Sequence, residues 1–170
     1  MKRKSCSILS TNFIFNEPGR FAAWPSIAKT STSEMLVVFS GDRFFHIDPY
    51  GKIILCRSSD QGFSWSPPVT IDNTPLDDRD PGILETKQDT WLVTFFTSRL
   101  FADWQEQARR YYGDSAVDLW QPYIKKITPE ICQKYLGTFV IRSSDRGKTW
   151  GPLIPNGGCL LIYYFILPAY

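Results

Sequence analysis

Two short stretches concentrate the side chains able to do acid–base or anion-binding chemistry. Gly41 to Gly51 holds Asp42, Arg43, His46 and Asp48, and Leu76 to Pro81 holds Asp77, Asp78, Arg79 and Asp80. Asp48 stands among Phe44, Phe45 and Ile47. A carboxyl kept in apolar surroundings has its pKa raised, enough to donate a proton to a leaving oxygen. The same residue opens Asp48-Pro49-Tyr50-Gly51, which also reads as an ordinary Asx/Pro turn. His46 reads as a structural or substrate-contact residue ahead of a catalytic one. Four consecutive charges from Asp77 usually mean a solvated turn. At the start of a strand, however, alternate side chains share a face, so either Asp78 and Asp80 or Asp77 and Arg79 would point together.

The elements that must position these residues repeat. Ser58-Ser59-Asp60-Gln61-Gly62-Phe63-Ser64-Trp65 returns as Ser143-Ser144-Asp145-Arg146-Gly147-Lys148-Thr149-Trp150, each copy following an arginine at the end of an apolar run. Ser-x-Asp-x-Gly-x-Ser/Thr-Trp suits a hairpin turn. The Asp accepts backbone N–H groups, the Gly takes positive φ, the Ser/Thr hydroxyl bonds the Asp, and the Trp anchors the turn from beneath. Around the first copy, Phe21 to Lys29, Glu34 to Ser40, Gly51 to Arg57 and Trp65 to Ile71 read as four antiparallel strands, with Thr30 to Ser33 as the first hairpin turn. Four such strands in about fifty residues form one propeller blade.

A second blade follows in register. Pro81 lies 56 residues after Pro25, and Trp91 lies 56 after Met35, whereas Asp145 follows Asp60 by 85. The second blade therefore carries 29 additional residues between Ser98 and Gly137. Ala102 to Tyr112 is rich in helix formers, and Thr128-Pro129-Glu130 reads as an N-cap followed by Pro at the first helical position. Gly151 to Pro155 serves as the last strand. The expected organisation is a leading segment 1–19, blade one at 20–73, blade two at 74–155 with its insertion at 99–136, and an atypical apolar tail at 156–170. The fold class is all-β: a partial β-propeller of about two four-stranded antiparallel blades with a short helical insertion.

At this spacing the octapeptides resemble the Asp-box, or BNR repeat, of the sialidase (neuraminidase) superfamily and other propellers. The structural Asp-box positions are Ser58, Asp60, Gly62, Trp65, Ser143, Asp145, Gly147 and Trp150. The resemblance covers about residues 20 to 155, the N-terminal third of a six-bladed fold, and implies a glycoside hydrolase of exo-α-sialidase type represented by a fragment. In that family, Asp48 matches the general acid/base by spacing, and Arg43 matches a pocket arginine. A substrate-hydroxyl-binding Asp falls near Asp78 and Asp80, and Arg79-Asp80-Pro81 mimics an anion-binding Arg-x-Pro. Ala22-Ala23-Trp24-Pro25 departs from the family's Phe/Tyr-Arg-Ile-Pro, leaving Ala23 where a carboxylate-clamping arginine belongs. Arg20, three residues upstream, has the wrong strand parity to replace it. The family's Tyr nucleophile, its Glu partner and the other clamp arginines belong to later blades, so this chain alone is expected to be inactive on sialosides. A non-catalytic propeller that binds carbohydrate or acts as a scaffold is the alternative.

Composition narrows the partners. Nineteen basic against 17 acidic residues give a net charge of +2, too balanced for a nucleic-acid or anionic-membrane surface. A glycan or sugar-containing substrate is the expected partner, and open blade edges invite self-association. Four scattered cysteines (Cys6, Cys56, Cys132, Cys159) and one histidine give no metal-ligand spacing, so neither metal nor cofactor is expected. No signal peptide is recognised, because Cys6 to Asn16 is broken by polar residues. The longest apolar run, Cys159 to Leu167, is short for a membrane span. A soluble, cytoplasmic protein is the default expectation.

Overall fold

The computed structural model describes residues 11–156. The first ten residues and most of the apolar tail lie outside that range. Blade one consists of β1 (Phe21–Lys29), β2 (Met35–Arg43), β3 (Lys52–Ser58) and β4 (Val69–Asp72). Blade two consists of β5 (Asp77–Glu85), β6 (Trp91–Ser98), β7 (Thr138–Ser143) and β8 (Ile154–Pro155). Each is a four-stranded sheet in sequential order, every pair antiparallel. This is the all-β, partial-propeller architecture that the repeat predicts.

Strand alternation divides the apolar residues between two faces. Leu36, Val38, Ile53 and Leu55 point toward blade two, where Val93, Phe95, Phe139 and Ile141 meet them in one buried cluster. Val37, Phe39, Ile54 and Cys56 point the other way, against Phe15 and Trp65. A strand buried on both faces reads as a continuous apolar run, which is why Met35 to Phe39 shows no alternation.

Two strand boundaries differ from expectation. β2 runs on through Gly41, Asp42 and Arg43, so Arg43 closes a strand opposite Phe21 instead of lying in the loop. β4 begins at Val69, not Trp65, because Pro67 and Pro68 have no N–H to give to β3.

The segment between β6 and β7 is helical: α1 (Leu100–Asp103), α2 (Gln105–Tyr112), α3 (Asp114–Ile124) and α4 (Pro129–Tyr135). Thr128 caps α4 by accepting from the Ile131 N–H, with Pro129 in the first turn. α3 falls outside the helical stretches expected from sequence. Its Ala116, Val117 and Trp120 are buried, a 3- to 4-residue period that marks one face, although Pro122 lies inside the helix. Trp120 is the centre of a cluster with Phe101, Ala108 and Val117, and that cluster takes in Ile47 and Phe45 of the β2–β3 loop. The insertion of blade two thus packs onto the loop of blade one that carries His46 and Asp48.

Candidate functional site

The β2–β3 loop and the start of β5 come together at one end of the two sheets. The octapeptide turns lie at the other end, since Ser58 pairs with Met35 at the opposite end of β2 from Arg43. In both turns the aspartate is fully occupied. Asp60 accepts from Ser58 Oγ at 2.8 Å, from the Ser64 N–H at 2.9 Å and from Ser64 Oγ at 2.6 Å. Asp145 repeats this with Ser143 and Thr149. These bonds pull Asp60 down to about 2 and lower Asp145 as well. Gly62 and Gly147 each donate to the first serine of their turn at 2.8 Å. Trp65 packs in the second cluster of blade one and Trp150 in the cluster between blades.

At the loop end, Arg43 has no exposed surface. Its five N–H groups are all spent. Nε donates to Phe45 O, Nη1 to Ser40 Oγ and to Asp77 Oδ1 at 2.5 Å, and Nη2 to His46 O at 2.7 Å and to Asp77 Oδ2 at 2.9 Å. Burial raises the Asp77 carboxyl from its ordinary value, while the hydrogen bonds and charge of Arg43, then the charge of Arg79, pull it back. Gly51 closes over this pair. A Cβ there would sit 2.2 Å from Arg43 Nη1 and 2.3 Å from Asp77 Oδ1, so no side chain fits.

Asp48 is equally enclosed, and its oxygens accept from the backbone N–H groups of Phe44 at 2.6 Å, Phe45 at 2.8 Å and Tyr50 at 3.0 Å. This is the local turn geometry. Arg43 and Asp48 are therefore joined in one loop as parts of its internal frame, Arg43 with every N–H taken and Asp48 bonded to three loop N–H groups.

Between the two candidate pairs at the start of β5, it is Asp77 and Arg79 that converge with this loop. Asp78 is buried on the other side, accepting from the Thr74 N–H at 2.8 Å and from Thr74 Oγ1 at 2.5 Å. Burial pushes its carboxyl well above the ordinary range. Arg79 donates to Asp77 Oδ2 at 3.0 Å and to His46 O at 2.9 Å, and its Nη2 lies 3.3 Å from His46 Nε2. Its guanidinium stacks over Trp24 at 4.3 Å, and the Trp24 ring meets His46 edge-on at 5.1 Å. Burial, then the charges of Arg79 and Arg43, lower the His46 pKa. A guanidinium can only donate, so in this contact His46 Nε2 is the acceptor.

Trp24 is the residue that sequence reasoning passed over, having weighed only its neighbour Ala23. It stands at the same blade position as Asp80, 56 residues earlier. Both have positive φ, 55° and 48°, and both precede a proline. In each inner strand two residues oppose one on the partner: Trp24 and Pro25 against Phe39, and Asp80 and Pro81 against Phe95. These are matching β-bulges, which re-aim side chains and recur beside functional sites. The bulge leaves Asp80 exposed and Trp24 half-buried, beside the exposed His46. Among the described residues, Arg79 Nε and one Nη2 hydrogen have no recorded partner. No group of three or more His, Cys, Asp or Glu that could hold a metal occurs among them, and no helix is long and apolar enough to cross a membrane.

The arrangement defines a propeller-type blade pair with an aromatic and polar cluster at its loop end. Among solved structures, the chain is similar to a protein of unknown function from Dyadobacter fermentans DSM 18053. That similarity has 22% identity and a TM-score of 0.55, covering 83% of this chain and 38% of that one. It is also similar in fold to the Hadza microbial sialidase Hz136, with 17% identity and a TM-score of 0.52, covering 78% of this chain and 25% of the sialidase. The chain thus spans between a quarter and two-fifths of these neighbours. No family model and no curated sequence matches it.

Proposed function

We propose that this chain is the sugar-recognising part of a sialidase-like propeller, and that Trp24, His46, Arg79 and Asp80 form the contact surface. One observation carries the reading. Arg43 and Asp48 are consumed inside the loop, whereas Arg79, 8% exposed and paired to Asp77, keeps N–H donors without a partner among the described residues, beside an exposed carboxylate, an exposed imidazole and a half-buried indole. A flat aromatic flanked by a few convergent polar groups is what a sugar ring with hydroxyls or a carboxylate requires. The fold shared with a sialidase supports a glycan as ligand. Recognition without hydrolysis is favoured over catalysis, because an acid must reach the glycosidic oxygen and Asp48 has no exposed surface.

The test is a heteronuclear NMR titration of the 170-residue chain with 3′-sialyllactose and with lactose, alongside Trp24→Ala and Asp80→Ala. Saturable shifts at the Trp24 indole and His46, lost in both variants, are expected, with no release of sialic acid. Hydrolysis abolished by Asp48→Asn would overturn the non-catalytic reading, and absence of saturable shifts at these residues would overturn the site.

A further inference from the structure

A second concavity lies between the loop end of blade one and the helical insertion. It is a cleft of about 680 Å³ whose walls include Arg20, Asp42, Tyr50, Lys52, Tyr123 and Lys126. That volume suits a ligand of several heavy-atom rings more than a single ion. Trp24, His46, Arg79 and Asp80 do not line it.

Its charge is unbalanced. Asp42 is the sole carboxylate among the lining residues, and it is already shared: Arg20 Nε lies 3.3 Å from one oxygen and Lys52 Nζ pairs with the other. Lys126 is exposed and, among the described residues, has no carboxylate partner; its Nζ lies 5.6 Å over the Tyr123 ring. Three cations against one anion leave the cleft two charges positive. Arg20 is held against Phe44 at 3.9 Å, which fixes its guanidinium at the cleft edge at little further entropic cost. Asp42 takes φ 61°, a strained value for a non-glycine residue, where it receives both cations.

The aromatic lining narrows the ligand further. Tyr50 and Tyr123 meet at 65° with centroids 4.9 Å apart, so no two parallel rings form a slot for a planar base. Single tilted rings suit the C–H face of a saccharide instead. We propose that this cleft binds an anionic saccharide, a sugar unit bearing a sulfate or carboxylate, with Lys126 and Arg20 taking the charged group and Tyr123 the ring. The cleft is independent of the Trp24 surface, so each proposal stands or falls separately.

The experiment is isothermal titration of the 170-residue chain with a sulfated heparin disaccharide, with lactose and with AMP. Binding of the disaccharide that weakens as salt rises, with none to lactose, is expected. Lys126→Ala should weaken it about tenfold, the usual scale for losing one charge-assisted contact, while Lys126→Arg retains it. Lys126 is exposed, so neither change threatens the fold. Trp24→Ala should leave this affinity unchanged. Equal binding of lactose, tighter binding of AMP, indifference to Lys126→Ala, or loss with Trp24→Ala would each overturn the assignment.

Discussion

Replacing Asp77 by alanine tests whether the buried arginine is a frame or a ligand clamp. In the native chain Asp77 satisfies two of the five Arg43 donors and one from Arg79, and neither Asp77 nor Arg43 is exposed. Alanine leaves the Arg43 guanidinium enclosed, with contacts to Ser40, Phe45 and His46 but no counter-charge. Breaking such a buried pair from one side costs about 3–5 kcal/mol. At roughly 2–4 °C per kcal/mol for a chain of this size, the melting temperature should fall by about 6–20 °C. The paired replacement Arg43→Met with Asp77→Leu leaves no unpaired charge at position 43 and should recover part of that cost, the remainder reflecting the partner that Arg79 loses. Urea unfolding at neutral pH, followed by tryptophan fluorescence, reads both. A cost below about 1 kcal/mol for Asp77→Ala would refute the frame. So would an Arg43→Ala chain that unfolds like the parent yet no longer binds a sugar.

Two further outcomes follow from local geometry. Gly62 and Gly147 both have positive φ, 91° and 76°, but a Cβ at Gly62 meets Trp65 Cζ2 at 3.6 Å whereas one at Gly147 falls 2.6 Å from Trp91 Cζ3. Gly62→Ala should cost about 1–2 kcal/mol for the backbone alone, and Gly147→Ala about 1–3 kcal/mol more for overpacking; equal urea midpoints would contradict this. Burial raises Asp72 to about 6, and its Oδ2 is buried without a partner among the described residues. A carboxyl raised on folding binds its proton more tightly in the native state, so its contribution falls as pH rises from about 4 to 6 and stays low above that. Asp72→Asn should flatten that part of the stability profile and stabilise the chain at pH 7, and an unchanged slope in urea melts would exclude Asp72 as its source.

Much of the fold was legible because its signals are local. The turn octapeptides, the apolar strands and the 56-residue register each lie within a short window, and the structure returns two four-stranded sheets in sequential order. What failed locally failed for nameable reasons. β4 starts late because Pro67 and Pro68 cannot donate to the ladder. α3 was missed although Ala116, Val117 and Trp120 carry its period, because Gly113 and Pro122 punctuate the segment. The candidate site was harder to read, since its decisive pairings are distant. Arg43 and Asp48 had the residue types and spacing of pocket groups. Whether a charge is offered to a ligand depends on who else claims it, and the claimant on Arg43 is Asp77, 34 positions away.

The repeat itself held the missing information. Offset by 56 residues, Trp24 corresponds to Asp80 and Ala23 to Arg79. Both blades place a bulge there, so the backbone device is shared and only the side chains differ. Blade one supplies the indole and blade two the guanidinium, and the two stack at 4.3 Å. Position 23 carries no arginine, and the arginine at the equivalent position of the next blade, Arg79, is buried and ion-paired to Asp77. His46 joins that pair from the loop that Arg43 and Asp48 hold rigid and that Phe45, stacked on Tyr112 at 4.6 Å, ties to the insertion. Trp24 of blade one and Arg79 of blade two, each at or beside its blade's bulge, thus meet with His46 at one place.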